Sequence, residues 1–166
     1  MLRKIGKKKQ AALDAAGTKA YSTLKRKKPK KKSTGRKQAP TTKQVDKLWS
    51  LVVRQRALYE CELWGCGNMQ CGSVMDAHHI FPRKHISTRW DLDNGLCLCK
   101  GHHLFYVHGN NGCAAADDIR EVIGAKRYSR IKGLHYKTVK NTAALRTEVY
   151  ELLTAEMNRL KEGVAA

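Results

Sequence analysis

Two adjacent histidines, His78 and His79, lie within the segment MDAHHIFPRK. Neighbouring side chains point to opposite faces of a β-strand, and around a helix they are about 100° apart. One site can therefore use both histidines only if the two have different functions. All six cysteines and six of the seven histidines lie between residues 61 and 113. Cysteines and histidines that were merely scattered through a core would not cluster in this way.

Metal binding explains the cysteines better than disulfides do. No segment has the apolar run of a signal peptide or a membrane span, so we expect a cytosolic chain whose thiols stay reduced. Structural zinc takes four tetrahedral nitrogen or sulfur ligands, usually as two short chelating pairs. Cys99 and His102, in C-x-x-H spacing, form one predicted pair. The alternative is a set of reduced cysteines packed without metal.

The second chelating pair must come from Cys61, Cys66 and Cys71, whose successive spacings are both C-x4-C. Gly72 follows Cys71, as a glycine often follows the second cysteine of a zinc knuckle, so we choose Cys66 and Cys71. Cys61 is the reserve ligand. Cys97 is either a spare ligand or a small buried hydrophobic residue.

A helix is predicted before the cysteine-rich segment. Pro40 precedes a capping-box pattern formed by Thr41 and Gln44, and apolar residues then recur at three-to-four spacing. Arg54 and Arg56 fall on or near the opposite side of this helix. The apolar face is expected to pack against a core.

Two short strands and a helix are predicted to carry the remaining chemistry. Residues 74–80 and 96–99 are the strands, and residues 100–108 suit the start of a helix. Residues 114–160 look wholly helical, with Asp117 and Asp118 at the start of one helix, where carboxylates suit the dipole. The sequence therefore predicts an α+β protein with a small zinc-stapled core flanked by α-helices.

The positive charge is concentrated at the start of the chain. Residues 1–47 hold 17 of the 33 Lys and Arg residues and two of the 14 acidic ones, which is +15 of the net +19. With few large apolar residues, this region cannot bury enough surface to fold. We predict a largely disordered nucleic-acid-binding arm over 1–40, a core with its preceding helix over 41–113, and a helical extension over 114–166. A solubilising tail is the alternative for the arm.

The segment DAHHIFPRKHISTRWDLDNGLCLCKGHH resembles the motif of the HNH endonucleases, the ββα-metal nucleases. His79 matches the first histidine of that motif, Asn94 the asparagine and His103 the final histidine. The resemblance covers about residues 43–110. The upstream segment DKLWSLVVRQRALYEC further resembles phage-type members of this family, among them the NinG-like recombination nucleases.

This resemblance implies a division of labour between the two histidines. His79 would be the general base that activates water, whereas His78 would bind a catalytic divalent ion together with His103. Asn94 would brace the loop between the strands. His108 is a candidate third metal ligand, although it follows His103 by five residues, where about four would suit one helical turn. Water is the alternative third ligand.

The same resemblance implies a substrate, cofactors and partners. Arg83, Lys84 and Arg89 would contact DNA phosphates, which positions the nucleic acid without reading its sequence. The cofactors would be a structural Zn²⁺ and a catalytic Mg²⁺, Mn²⁺, Ni²⁺ or Zn²⁺. The expected partners are DNA, a second copy of the chain or other phage DNA-processing proteins, in the host-cell cytoplasm.

Three functions fit the sequence to different degrees. The leading prediction is a metal-dependent, phage-encoded DNA endonuclease. The second is a non-catalytic, zinc-stapled DNA-binding protein, which would have no use for a histidine beyond those that bind zinc. The third, a basic structural protein of a ribosome or virion, would leave the cysteine and histidine cluster unexplained.

Overall fold

The computed structural model of the protein describes residues 38–67, 70–109 and 112–163. The predicted basic arm lies outside the described residues, apart from its last three positions. The first helix, α1, spans Thr42–Arg56 and begins with the predicted capping box. The Oγ1 of Thr41 accepts from the backbone N–H of Gln44, and Gln44 Oε1 accepts from the backbone N–H of Thr41. These two bonds satisfy donors that a helix start leaves free.

Two antiparallel strands form the sheet of the core. Strand β1 spans Met75–His79 and strand β2 spans Gly95–Cys99, with Met75 opposite Cys99 and His79 opposite Gly95. The short helix α2, Ile86–Arg89, and a 3-10 turn, Leu92–Asn94, lie in the connection between them. Both strands are within one residue of their predicted bounds.

A π-helical segment follows β2 and spans His102–Val107. Its hydrogen bonds join residues five apart, where an ordinary α-helix joins residues four apart. Together with the two strands it completes a ββα arrangement beside a cysteine and histidine cluster. The predicted fold class, a mixed α+β protein with a small ββα core flanked by helices, is confirmed.

Two long helices complete the described fold. Helix α3 spans Gly112–His135 with a break at Gly124, whose φ of 77° lies in the left-handed region, and helix α4 spans Ala143–Glu162. Residues 114–135 and 143–160 are helical as predicted, but residues 136–142 between them are not, and α3 begins two residues before the predicted boundary, inside the segment assigned to the core. No helix in the described ranges is long and apolar enough to cross a membrane.

These helices belong to the hydrophobic core. One buried cluster joins α3 to the cysteine-rich segment and β2, through Leu63, Leu96, Leu98, Ala115, Ile119, Ile123 and Ile131. The other joins α4 to α1, through Val45, Trp49, Val52, Val53, Trp90, Val149 and Leu153. Burial of these side chains supplies most of the driving force for folding. The ββα unit is therefore packed between elements that precede and follow it in the chain.

Three arginines hold the turn that leads into β2. Arg56 and Arg127 both donate to the carbonyl oxygen of Gly95, at 3.0 and 2.7 Å. Arg130 bonds the carboxylates of Asp91 and Asp93 at 2.6 and 2.7 Å. Arg56 was predicted on or near the side of α1 opposite the apolar face, and this is wrong: the residue is only 8 % exposed and is buried together with the apolar residues of α1, because the turn needs donors for its inward-facing carbonyls.

Gly95 allows α1 to lie directly on β2. A Cβ atom there would stand 2.5 Å from Val53 Cγ2 and 2.9 Å from Trp49 Cζ2. We expect Gly95→Ala to lower the free energy of unfolding by about 1–3 kcal/mol, as overpacking of a core does. Urea denaturation measures this loss.

Gly133→Ala is the matched control, because a Cβ at this exposed position in α3 would meet nothing within 4 Å. Alanine at an open helical position should raise stability by about 0.5–1 kcal/mol. Similar losses in the two variants would contradict the proposed contact between α1 and β2.

Candidate functional site

Four side chains converge at the end of β2 in a group suited to a metal ion. The ligand atoms of Cys61, Cys71, Cys99 and His102 all lie within 4.8 Å of one another. The distances from His102 Nδ1 to the three sulfur atoms are 3.5, 3.5 and 3.1 Å. A tetrahedral zinc ion with ordinary bond lengths would separate nitrogen from sulfur by about 3.5 Å. The group could therefore hold a structural metal with no large rearrangement.

The structure places Cys61 in this group and Cys66 outside it. The sequence prediction had chosen Cys66 as a ligand and Cys61 as the reserve, so the structure corrects it. Cys61 is held beside β2 because Glu62 N donates to Cys97 O at 2.8 Å and Glu62 Oε2 accepts from Cys97 N at 2.7 Å. The backbone N–H of Cys99 also points at Cys61 Sγ, at 3.3 Å. Cys61 is thus brought to Cys99 and His102 by bonds to the sheet, not by a short spacing along the chain.

Cys66 contacts the group through its backbone. Its carbonyl oxygen accepts from His102 Nε2 at 3.0 Å, which fixes the tautomer of the ring and leaves Nδ1 as the ligand atom. Metal-binding histidines typically have their second nitrogen held in this way. Cys97 is fully buried and is not among the four converging residues, so it behaves as a small hydrophobic side chain.

The thiols of the group differ in their acidity. Burial raises the pKa of Cys61 to about 12. Burial acts in the same direction on Cys99, but hydrogen bonds, first among them the one from the backbone N–H of His102, outweigh it and lower the pKa of Cys99 to about 6. Cys99 is therefore already a thiolate at neutral pH, the form that binds a metal.

A second group of three histidines lies on the other side of the π-helical segment. His78 on β1 stands with its ring centroid 5.3 Å from those of both His103 and His108, and the latter two are 5.1 Å apart. Their nitrogens lie within 4.8 Å of one another. The structure thus brings together all three residues predicted for the catalytic metal.

The π-helical hydrogen bonding accounts for the position of His108. Its backbone N–H donates to the carbonyl oxygen of His103 at 3.3 Å, five residues earlier. A π-helical turn is wider than an α-helical one, so it brings His103 and His108 closer to the same side of the segment. The five-residue spacing that argued against His108 in an α-helix is the spacing of π-helical hydrogen bonds.

His78 is buried and remains a neutral ligand. Burial, together with the neighbouring rings of His103 and His108, lowers its pKa to about 3. A neutral imidazole keeps the lone pair that metal binding needs. An incoming cation would therefore have no proton to displace from His78.

Asp76 orients one of these histidines. It lies two residues before His78 on β1, so both side chains point to the same face of the strand. Its Oδ2 accepts from Nδ1 of His103 at 3.2 Å, which leaves Nε2 of that ring available for a metal ion. The sequence prediction missed Asp76, although the two-residue strand period was a signal that could have identified it.

Asp76→Ala is expected to weaken binding of Mn²⁺ by about 10–100-fold, the usual cost of removing an oriented partner of a metal ligand. Isothermal titration with MnCl₂ measures the change. Asp117→Ala is the control, because this carboxylate on α3 is 80 % exposed and pairs only with the nearby Arg120 among the contacts described. Equal affinities for all three proteins would rule out the role of Asp76.

His79 lies on the opposite side of β1 from His78. Its ring stacks on the indole of Trp49, with 3.9 Å between centroids and 15° between planes. Its Nε2–H donates to the carbonyl oxygen of Arg89 at 2.9 Å, so the lone pair is on Nδ1. Burial lowers the pKa of His79, against the opposing effect of the Arg89 carbonyl. The ring is thus neutral and held in one tautomer at neutral pH, as a general base must be.

Asn94 holds the connection between the strands in place. Its side chain is fully buried: Oδ1 accepts from Phe81 N at 2.7 Å, and Nδ2 donates to the carbonyl oxygens of Phe81 and Thr88, each at 3.0 Å. These bonds span the loop that ends at Arg89, whose carbonyl contacts His79. The geometry fits the bracing role expected of Asn94.

The predicted phosphate-contacting cations differ in their availability. Arg83 and Lys84 are exposed, and Arg83 lines the same cleft of about 660 Å³ as His78, His79 and the other two clustered histidines. Arg89 is less available, because its guanidinium bonds both carboxylate oxygens of Asp46, at 2.8 and 2.6 Å. Its side chain is 16 % exposed, and its contact with DNA stays a prediction.

Residues 61–109 match the family model described as HNH endonuclease. This confirms the predicted family for that segment. The segment contains both candidate metal-binding groups and also His79 and Asn94. Helices α1, α3 and α4 lie outside the match. No curated protein and no solved structure matches the chain.

Proposed function

We propose that the chain is a metal-dependent endonuclease that hydrolyses phosphodiester bonds of DNA. The observation that carries the proposal is that one cleft is lined both by the three-histidine group and by a separate neutral imidazole, that of His79. Three histidines suffice for the ion, so the fourth is free to handle a proton. The match of residues 61–109 to HNH endonucleases supports the same assignment.

His79 is the proposed general base. Its Nδ1 accepts a proton from a water molecule as the water oxygen attacks phosphorus, and the bond from phosphorus to the 3′ oxygen breaks. The Arg89 carbonyl stabilises the imidazolium that forms, because it accepts a hydrogen bond from Nε2–H. The leaving 3′ oxygen takes its proton from solvent. A divalent ion held by His78, His103 and His108 would neutralise the phosphate and the developing charge on the 3′ oxygen.

The donor atoms favour some divalent ions over others. Three imidazole nitrogens suit Zn²⁺ and Ni²⁺, and by affinity order Mn²⁺ binds such sites more weakly. Mg²⁺ prefers an oxygen shell and keeps its waters, so it would bind this group least well. We therefore place Ni²⁺, Zn²⁺ and Mn²⁺ ahead of Mg²⁺ as the catalytic ion. The structural ion is proposed to be Zn²⁺ on Cys61, Cys71, Cys99 and His102.

DNA would be held by two groups of cations. Arg83 and Lys84, in the exposed loop after β1, are the proposed phosphate contacts near the bond that is cut. The basic residues of the N-terminal arm would add sequence-independent attraction, which weakens as salt rises. A phage-encoded enzyme acting in the host cytoplasm, as a dimer or with other DNA-processing proteins, is proposed from the sequence resemblance.

Plasmid nicking tests the proposal. Supercoiled DNA is incubated with the protein in Ni²⁺, Mn²⁺ or Mg²⁺, and in buffer without added divalent ion. We expect metal-dependent conversion to the open circle, with nicks that DNA ligase can seal, because hydrolysis leaves a 3′ hydroxyl and a 5′ phosphate. DNA binding without cleavage under every condition would overturn the nuclease and favour the zinc-stapled DNA-binding protein.

A further inference from the structure

The side chain of Asp46 on α1 accepts three hydrogen bonds beside the candidate site, from outside the family-matched segment. Its two oxygens accept from Nε and Nη2 of Arg89, at 2.8 and 2.6 Å. Oδ1 also accepts from the indole N–H of Trp90, at 2.7 Å. Forked pairing between a guanidinium and a carboxylate is the most directional ion pair available to proteins.

Arg89 is thereby held at several points. Its guanidinium bonds Asp46 on one side and, through Nη1, donates to the carbonyl oxygen of Arg83 at 2.9 Å. Its own carbonyl oxygen accepts from Nε2 of His79 at 2.9 Å. The side chain of Arg89 thus fixes the backbone group that sets the tautomer of His79.

Helix α1 contacts His79 by a second route. Trp49 lies three residues after Asp46, on the same side of the helix, and stacks on the His79 ring. Trp49 is itself held, because its indole N–H donates to the carbonyl oxygen of Asp91 at 3.1 Å. Helix α1 therefore acts on the His79 ring in two ways. Trp49 fixes the plane of the ring by stacking, and Asp46, through Arg89, fixes the hydrogen bond at Nε2.

We propose that Asp46 is a positioning residue for the general base: acting through Arg89, it keeps Nε2 of His79 protonated and aims Nδ1 into the cleft. The proposal rests on the proposed function for its effect on rate, whereas its effect on the ring can be measured without any activity. It assigns to α1, which the family match does not cover, a part in the chemistry. Asn94 holds the same loop at Thr88 but does not contact the Arg89 carbonyl in the described structure.

The test compares Asp46→Ala and Asp46→Asn with the wild-type protein. We expect Asp46→Ala to lower the single-turnover nicking rate at saturating metal and DNA by about 10–100-fold, as loss of an oriented partner does. The Mn²⁺ concentration for half-maximal rate should stay within twofold, because Asp46 does not contact the three-histidine group. The nicking rate of Asp46→Asn should lie between those of the wild type and Asp46→Ala, since the amide oxygen still accepts from Arg89 or Trp90.

Glu156→Ala is the matched control. Glu156 and Arg159 on α4 form an equally short forked pair, at 2.8 and 2.6 Å. Removing that pair should leave the nicking rate unchanged. A wild-type rate in Asp46→Ala would overturn the proposal, and so would a loss of rate accompanied by a matching loss of metal affinity and thermal stability.

Nitrogen-15 NMR of the histidine rings separates this proposal from the proposed function. Wild-type His79 should show the single tautomer protonated at Nε2, and Asp46→Ala should show a mixture. If the wild-type protein does not cut DNA but the tautomer changes as expected, the proposed function fails and the positioning by Asp46 stands. An unchanged tautomer in Asp46→Ala would overturn the positioning whatever the activity.

Discussion

His79→Ala is expected to lower the single-turnover rate of DNA nicking by about 10² to 10⁴-fold, the usual contribution of a positioned general base. The methyl group cannot accept a proton, and water would have to lose its proton to solvent. Binding of metal and of DNA should persist, because the three clustered histidines and the basic residues remain. Quenched-flow or manual single-turnover assays with excess protein measure the rate.

His85→Ala is the control for a change of histidine charge and size near the cleft. The His85 ring lies 4.0 Å from that of His135 and outside the three-histidine group. We expect its variant to keep the rate within about threefold of the wild type, a difference of roughly 0.7 kcal/mol in barrier height. Equal rates for the wild type and His79→Ala would eliminate His79 as the base.

Cys61→Ser is expected to release the structural ion and to destabilise the fold strongly. Structural zinc contributes on the order of 10 kcal/mol to the folding of small zinc-finger peptides. A loss of even about 3 kcal/mol here would lower the melting temperature by roughly 10 °C. Zinc content by atomic absorption and thermal unfolding by circular dichroism measure the two effects.

Cys66→Ser distinguishes the ligand group found in the structure, which contains Cys61, from the ligand set predicted from the sequence, which contained Cys66. Cys66 contributes its carbonyl oxygen to His102, and serine keeps that group. We therefore expect Cys66→Ser to keep the zinc content of the wild-type protein and most of its stability. Loss of zinc from Cys66→Ser together with its retention by Cys61→Ser would contradict the four-ligand group assigned to the structural ion.

Local patterns predicted the parts of the fold that local physics determines. The capping box of Thr41 and Gln44, the apolar face of α1 and the two short strands all follow from hydrogen bonding and periodicity within a few residues. The histidines of the metal group were also predicted, because the resemblance to HNH endonucleases places them in order along the chain. The position of His108 was harder to predict, because it depends on a π-helical turn that no simple spacing rule anticipates.

Contacts between distant residues could not be predicted in the same way. The pairing of Asp46 with Arg89 joins residues 43 apart, and Cys61 reaches His102 across 41 residues. Arg127, whose side chain is 10 % exposed and bonded to the turn before β2, comes from a helix predicted only as an extension. Such contacts depend on how whole elements pack, whereas composition suggests only solvated charges. The position of Arg56 was predicted incorrectly for this reason.

The separate functions of the adjacent histidines are tested most directly by one titration. The single-turnover nicking rate is measured against Mn²⁺ concentration for the wild type, His78→Ala and His79→Ala. His78→Ala should raise the Mn²⁺ concentration for half-maximal rate at least tenfold, because it removes a buried metal ligand. His79→Ala should leave that concentration unchanged and lower only the plateau. A shift in metal requirement for His79→Ala, or a lowered plateau with no shift for His78→Ala, would contradict the division of function between them.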